Sequence, residues 1–310
     1  MRLNMMMPLC FLIWLICTPI QHVQSQTSQS QTSQSQTPQS QTPQSRIMSL
    51  NVCADQLLMD LAHDKIHSLS PLSRDANYSY SAQNALSFAQ NTGRGEEVLL
   101  ERPSHVFVGK YDGKARLHLL ARANLNVILI EPWETLEHGF AILHMLGTKL
   151  DAQHKAQARI DDIKSALNAS HNIAHTHKID ARKRVAVLQR RGYTSGRESL
   201  MGELIIHMGL EPYVPRNVAG EPLSKLNPKL GGFLRLEHLI MDPPDYVILS
   251  KEDQIAIDQG SAFLAHQALK AALPAHKRII IPTLLSACEG VATPALIRTL
   301  ADQIRQKTTH

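Results

Sequence analysis

The sequence predicts an α/β protein built as two doubly wound lobes with mainly parallel sheets, joined by a long backbone α-helix. Three observations predict it. Short, β-branched, almost wholly apolar runs recur between helix-length segments; one long amphipathic stretch divides these runs into two groups; and one helix, proline turn, strand pattern occurs once in each group.

The apolar runs cover residues 47–50, 66–69, 105–108 and 127–130 in the first group, and 184–188, 246–249 and 278–281 in the second. Strands apolar on both faces belong to parallel sheets covered by helices on each side. Between the groups, residues 151–174 lack Gly and Pro and place Ala156, Ile160, Ile163 and Leu167 at spacings of three and four. That spacing predicts an amphipathic helix, with Asp151 as its N-cap. In the repeated pattern, Glu96 precedes Pro103 by seven residues and Glu237 precedes Pro244 by seven, each followed by a strand. Each glutamate thus opens a short helix, where the helix dipole favours a carboxylate.

The chain before Arg46 is not fold. Arg2, the apolar run at 9–17 (LCFLIWLIC) and the small-residue end at Ser25 read as a signal peptide over residues 1–25, cleaved near Ser25, which predicts an exported protein. The apolar stretch carries Pro8 and Pro19 and falls short of the roughly 20 residues a bilayer requires. Bulky Ile16 beside Cys17 argues against lipoprotein anchoring. Residues 26–45 repeat Gln, Ser, Thr and Pro without charge or large apolar side chains, a low-complexity tether that cannot offset the entropy of ordering. The remainder divides into an N-terminal lobe (46–150), a connecting helix (151–178) and a C-terminal lobe (179–310).

Composition excludes several classes. With 43% hydrophobic and 19% charged residues the chain is neither disordered throughout nor multi-spanning, and 4 cysteines in 310 residues are too few for a disulfide-built scaffold. The net charge of +5 includes no basic run longer than Arg182-Lys183-Arg184, so nucleic acid is not the expected partner.

The segments 46–75 (RIMSLNVCADQLLMDLAHDKIHSLSPLSRD), 96–109, 193–209 (YTSGRESLMGELIIHMG), 217–219 and 232–249, with a weaker stretch at 287–296, together resemble the periplasmic substrate-binding proteins of ABC importers for iron complexes and cobalamin, the helical-backbone class III family. The resemblance implies a rigid bilobed carrier that holds its ligand in a cleft between the lobes, captures a ferric siderophore, haem or cobalamin and delivers it to a membrane permease. It also implies that Glu96 and Glu237, which fall on the family's two docking positions, face arginines of that permease. Charge-assisted pairs at two separated points fix orientation as well as affinity.

Open α/β sheets bind ligands at the carboxyl ends of their strands. The candidates there are Asn51, Arg74, Tyr111 and Trp133 from the first lobe, with Cys53, Ser73 and Lys110 beside them, and Arg190, Arg191, Tyr193, Ser195, Phe233 and Glu289 from the second. Aromatic side chains supply contact area for a bulky ligand and Arg answers anionic oxygens. The three arginines tilt the expected ligand towards an anionic ferric siderophore or haem and away from cobalamin.

No enzyme, cofactor or metal site is expected. Ser195 adjoins Gly196, so the nucleophile-elbow spacing fails, and Gly93-Arg94-Gly95 lacks a third glycine. His171, His175 and His177 have metal-compatible spacing but lie together at the end of the connecting helix, where a surface cluster is the simpler reading. The alternative function is an exported zinc- or manganese-binding protein or a hydrolase on a similar scaffold. Whether Cys53 and Cys288, one near each lobe's cleft loops, form a disulfide is left open, because sequence does not give their separation.

Overall fold

A computed structural model describes residues 46–217, 219–222, 227, 229, 231–251 and 258–307. The expected signal peptide and tether lie outside these residues.

The first lobe holds a four-stranded sheet in the order β2-β1-β3-β4, formed by β1 (Ile47–Ser49), β2 (Ile66–Ser68), β3 (His105–Gly109) and β4 (Val127–Ile130), all parallel. Its helices are α1 (Val52–Leu61), α2 (Gly95–Glu101), α3 (Lys114–Arg122) and α4 (Leu136–Lys149). Asn51 caps α1 by accepting from the backbone N–H groups of Cys53 (2.9 Å) and Ala54 (3.2 Å), and Thr135 caps α4 through the N–H of His138 (3.1 Å).

The connecting helix α5 spans Gln153–Ser170 and is followed by the single turn α6 (Ile173–Thr176). It begins after Asp151, which adopts φ of 52° and is not the cap, and it ends before the expected position. Asn172 turns left-handed at φ of 50°, and its N–H donates to the carbonyl of His207 (3.0 Å), drawing the chain off the helix axis.

The second lobe holds β5 (Arg184–Leu188), β6 (Tyr193–Thr194), β7 (Glu211–Pro212), β8 (Gly232–Phe233), β9 (Tyr246–Ser250) and β10 (Arg278–Ile281). The order is β10-β9-β5-β6-β8, with β7 also on β5; the β6 pairings are antiparallel and the rest parallel. Around them lie α7 (Leu200–His207), α8 (Leu236–Met241), α9 (Gln259–Ala265), α10 (Gln267–Ala272), α11 (Thr283–Ser286) and α12 (Thr293–Gln306). All seven apolar runs are strands; the two-residue strands β6, β7 and β8 carry no periodicity to read.

The apolar stripe of α5 joins the lobes into one core. Ile160, Ile163 and Leu167 are buried in a cluster that reaches Leu57 and Leu58 on α1 and Leu204, Ile279 and Leu300 in the second lobe. Each such side chain contributes about 1.5–3 kcal/mol when fully buried. Arg159 fixes α5 on α1 through a two-pronged pair with Asp60 (2.9 and 2.7 Å) and also bonds Asp162 (2.9 Å).

One buried carboxyl gives a pH-dependent stability. Asp55, inaccessible to solvent on α1, accepts from the N–H (3.0 Å) and hydroxyl (2.5 Å) of Ser70, and burial pushes its pKa up to about 6 against these bonds. The folded state thus holds the proton more tightly than the unfolded chain. The stabilisation is complete below the ordinary Asp range and is lost as pH rises through about 6. The stability difference between wild type and Asp55→Asn should therefore shift by roughly 2–3 kcal/mol from pH 4 to pH 7, the wild type losing ground. Urea titrations across that range measure it, and a flat difference would refute the assignment.

Candidate functional site

The carboxyl ends of both sheets converge on two neighbouring cavities of about 350 and 210 Å³ that share Trp133, Ala287 and Glu289. The larger one sits over the ends of β5, β9 and β10 and is floored by apolar residues such as Val187, Leu200 and Ile248. Hydroxyl and amide groups of Gln189, Ser195, Ser199, Ser250 and Thr283 stand among them. The smaller one sits over β3 and β4 and takes Asn51, Lys110, Tyr111, Asp112 and Glu131 from the first lobe.

The partition between the cavities is a junction of the lobes. Cys53, at the start of α1, is bonded to Cys288, in the loop between α11 and α12, with Cα atoms 5.0 Å apart, inside the range a disulfide spans. Cys53 lines the smaller cavity and Cys288 the larger. Gly290 lets that loop approach α1: at its φ of 101° other residues are strained, and a Cβ there would meet Leu57 at 2.7 Å. A polar contact also joins the lobes, where the carboxylate of Glu203 on α7 accepts from the N–H of Leu136 at the start of α4 (2.8 Å).

Trp133 is 5% exposed yet borders both cavities. Its indole lies on Gly139 of α4, where an added Cβ would sit 2.0 Å from the ring, so only glycine admits it. Burial pushes the Glu289 carboxyl up to about 6, partly opposed by hydrogen bonds from its own N–H and that of Trp133. The bond to Trp133 also ties the C-terminal loop to the first lobe.

The structure brings Asn51, Tyr111, Trp133, Arg190, Ser195 and Glu289 to the cavity linings. Tyr111 is 81% exposed at the mouth of the smaller one. Asn51 is occupied as the α1 cap and also donates to Asp112 (3.4 Å). Arg74, Arg191, Tyr193 and Phe233 line neither cavity, nor does Ser73. The Arg74 guanidinium donates to the carbonyl of Phe88 (2.6 Å) within its own lobe. Arg191 is exposed at a left-handed φ of 60°. Tyr193 and Phe233 face each other across the antiparallel β6–β8 pair, rings 5.4 Å apart, with Phe233 67% exposed. The expected cluster of three arginines therefore reduces, at the cavities, to Arg190, which is paired with Asp258.

Sequence reasoning missed Gln189, Ser199, Ser250, Thr283, Asp112 and Asp258. Gln189, Ser250 and Thr283 stand at or within two residues of the ends of β5, β9 and β10, and that position was the available signal. His171 packs edge-on against His207 at 4.9 Å, and among the described residues no three His, Cys, Asp or Glu side chains gather as a metal site.

Glu96 and Glu237 occupy the first turns of α2 and α8, both exposed and both without an ion pair or hydrogen bond among the described residues. Four residues on, and hence on the same helix face, stand Leu100 and Met241, 85% and 74% exposed.

A family model described as periplasmic binding protein matches residues 47–281. No curated protein sequence matches the chain. Among solved structures, a periplasmic heme-binding protein from Pseudomonas aeruginosa shares the fold at TM-score 0.63 and 18% identity, over 84% of this chain and 93% of that one. A periplasmic heme-binding protein of Vibrio cholerae aligns at 0.60 and 17% over 83% and 97%, and a periplasmic catecholate-siderophore-binding protein of the same organism at 0.61 and 12% over 84% and 93%. Among the described residues no helix is long and apolar enough to cross a membrane.

Proposed function

Because the chain belongs to the periplasmic binding protein family, we propose that it is the solute-capturing component of an ABC importer, holding a bulky metal chelate between its lobes and handing it to a membrane permease. The chelate is of the siderophore, haem or corrinoid kind. The observation that carries this reading is the pair of adjoining cavities, which collect residues from the strand ends of both lobes around Trp133 and Glu289. An apolar floor with a few placed polar groups is the usual make-up of a small-molecule site. No nucleophile and base need be invoked: capture and release are the whole task.

Delivery rests on the two exposed helix starts. Glu96 and Glu237 would each receive a guanidinium from one half of the permease, with Leu100 and Met241 entering apolar hollows beside them. The repeated pairing of one carboxylate with one apolar side chain fits a partner made of two like halves.

Trp133 provides the test of capture. The only other tryptophan, Trp14, lies in the expected signal peptide, so the emission of the processed chain reports one site. Titration with a ferric siderophore, haem and cobalamin should give saturable quenching by at least one of them at one ligand per chain. No saturable change with any would sink the reading.

A further inference from the structure

We propose that the metal complex held in this cleft carries zero or positive net charge, with its most positive face against Asp112 and Glu289. The inference rests on the cleft being the capture site and narrows what it captures.

Five ionisable acid and base side chains with formal charge line the two cavities among the described residues: Arg190 and Lys110, against Asp112, Glu131 and Glu289. Both cations are already neutralised. Lys110 bonds Glu131 at 3.0 Å, and Arg190 is paired with Asp258. Asp258 is itself fixed as the cap of α9, accepting from Gly260 (2.9 Å) and Ser261 (3.0 Å), so the partner of Arg190 is held in place. The two remaining carboxylates take no ion pair among the described residues. Asp112 accepts from the N–H of Gly109 (2.6 Å) and the Asn51 amide (3.4 Å), and Glu289 from backbone N–H groups alone.

The balance of the lining is therefore negative, and its unpaired part lies in the smaller cavity and at the shared partition. A polyanionic complex entering there would be desolvated beside two carboxylates with no free cation among the described lining residues to answer it, a cost that grows as water leaves. A complex with a pendant ammonium would complete the missing pairs. An uncharged one would lose nothing and could use the hydroxyls of Ser195, Ser199 and Thr283. This reverses the tilt drawn from the arginines, because Arg74 and Arg191 do not reach the cavities.

Equilibrium dialysis of the processed chain, with metal analysis of the retained complex, tests it. The probes are ferrioxamine B, a cationic ferric hydroxamate; cyanocobalamin, which is uncharged; and ferric enterobactin and haemin, which are anionic. The cationic or the uncharged probe should bind at least about tenfold more tightly than either anion, a margin the attraction of one partly screened charge pair can supply. In Glu289→Gln the preference for the cation over the anions should shrink about fivefold. Tightest binding by enterobactin or haemin would overturn the charge assignment and leave the capture site standing. Retention of none of the four would remove the capture reading and this inference together. An unchanged preference in Glu289→Gln would overturn the part given to Glu289.

Discussion

Replacing Cys53 and Cys288 together by serine is expected to destabilise the chain by about 5 kcal/mol, the largest effect of any change outside the core. The bond joins residues 235 apart, so its loss frees a long loop in the unfolded ensemble. It also removes one of the ties between the lobes. Leu57 and Gly290 would still pack, Glu203 would still accept from the N–H of Leu136, and the α5 core would persist, so the variant should fold with a lower denaturation midpoint. The consequence for function follows from position. With the bond intact, the lobes are pinned both at α5 and at the partition between the cavities, and ligand addition should leave the radius of gyration nearly unchanged in small-angle scattering. Without it, a contraction on binding should appear. An unchanged midpoint, or a strong contraction in the oxidised wild type, would contradict this account.

Reversing charge at the two proposed docking positions, Glu96→Arg with Glu237→Arg, should abolish uptake of the chelate and stimulation of the importer's ATPase while leaving affinity for the chelate as it was. Neither carboxylate has a partner among the described residues, so neither change breaks a bond within the fold. Against the basic permease surface proposed above, each reversal would replace an attraction by a repulsion, and two together would leave no productive orientation. Leu100→Ser or Met241→Ser should each weaken docking by about tenfold, from the lost burial of one apolar side chain. Affinity for the chelate lost in the charge-reversed variant would place the glutamates in ligand recognition instead. Uptake that survived would leave docking to other residues.

Much of the architecture was legible because parallel strands buried on both faces advertise themselves. Runs such as 184–188 and 278–281 are apolar at nearly every position, and the stripe of Ile160, Ile163 and Leu167 shows one helix face. The two helix starts at Glu96 and Glu237 were legible because helix, proline and strand recur at the same spacing in each lobe. Other features depend on partners distant in sequence. That Arg190 is spent on Asp258 involves a residue 68 positions away, and the Cys53–Cys288 bond needed a distance. The left-handed Arg191 and the two-residue strands β6 and β8 turn Tyr193 and Phe233 into a surface pair. No periodicity marks strands so short, which is why it was not legible that Arg191, Tyr193 and Phe233 stand away from the cavities, while Arg74 is held back in the first lobe by the Phe88 carbonyl.

A crystal structure of the chain with its tightest-binding chelate tests the central claim most directly. The chelate should lie across the partition, touching Tyr111 and Trp133 from one lobe and Gln189 and Ser195 from the other, with the Cys53–Cys288 bond intact beneath it. A chelate held by one lobe alone, or bound on the exposed face of Phe233, would contradict the account.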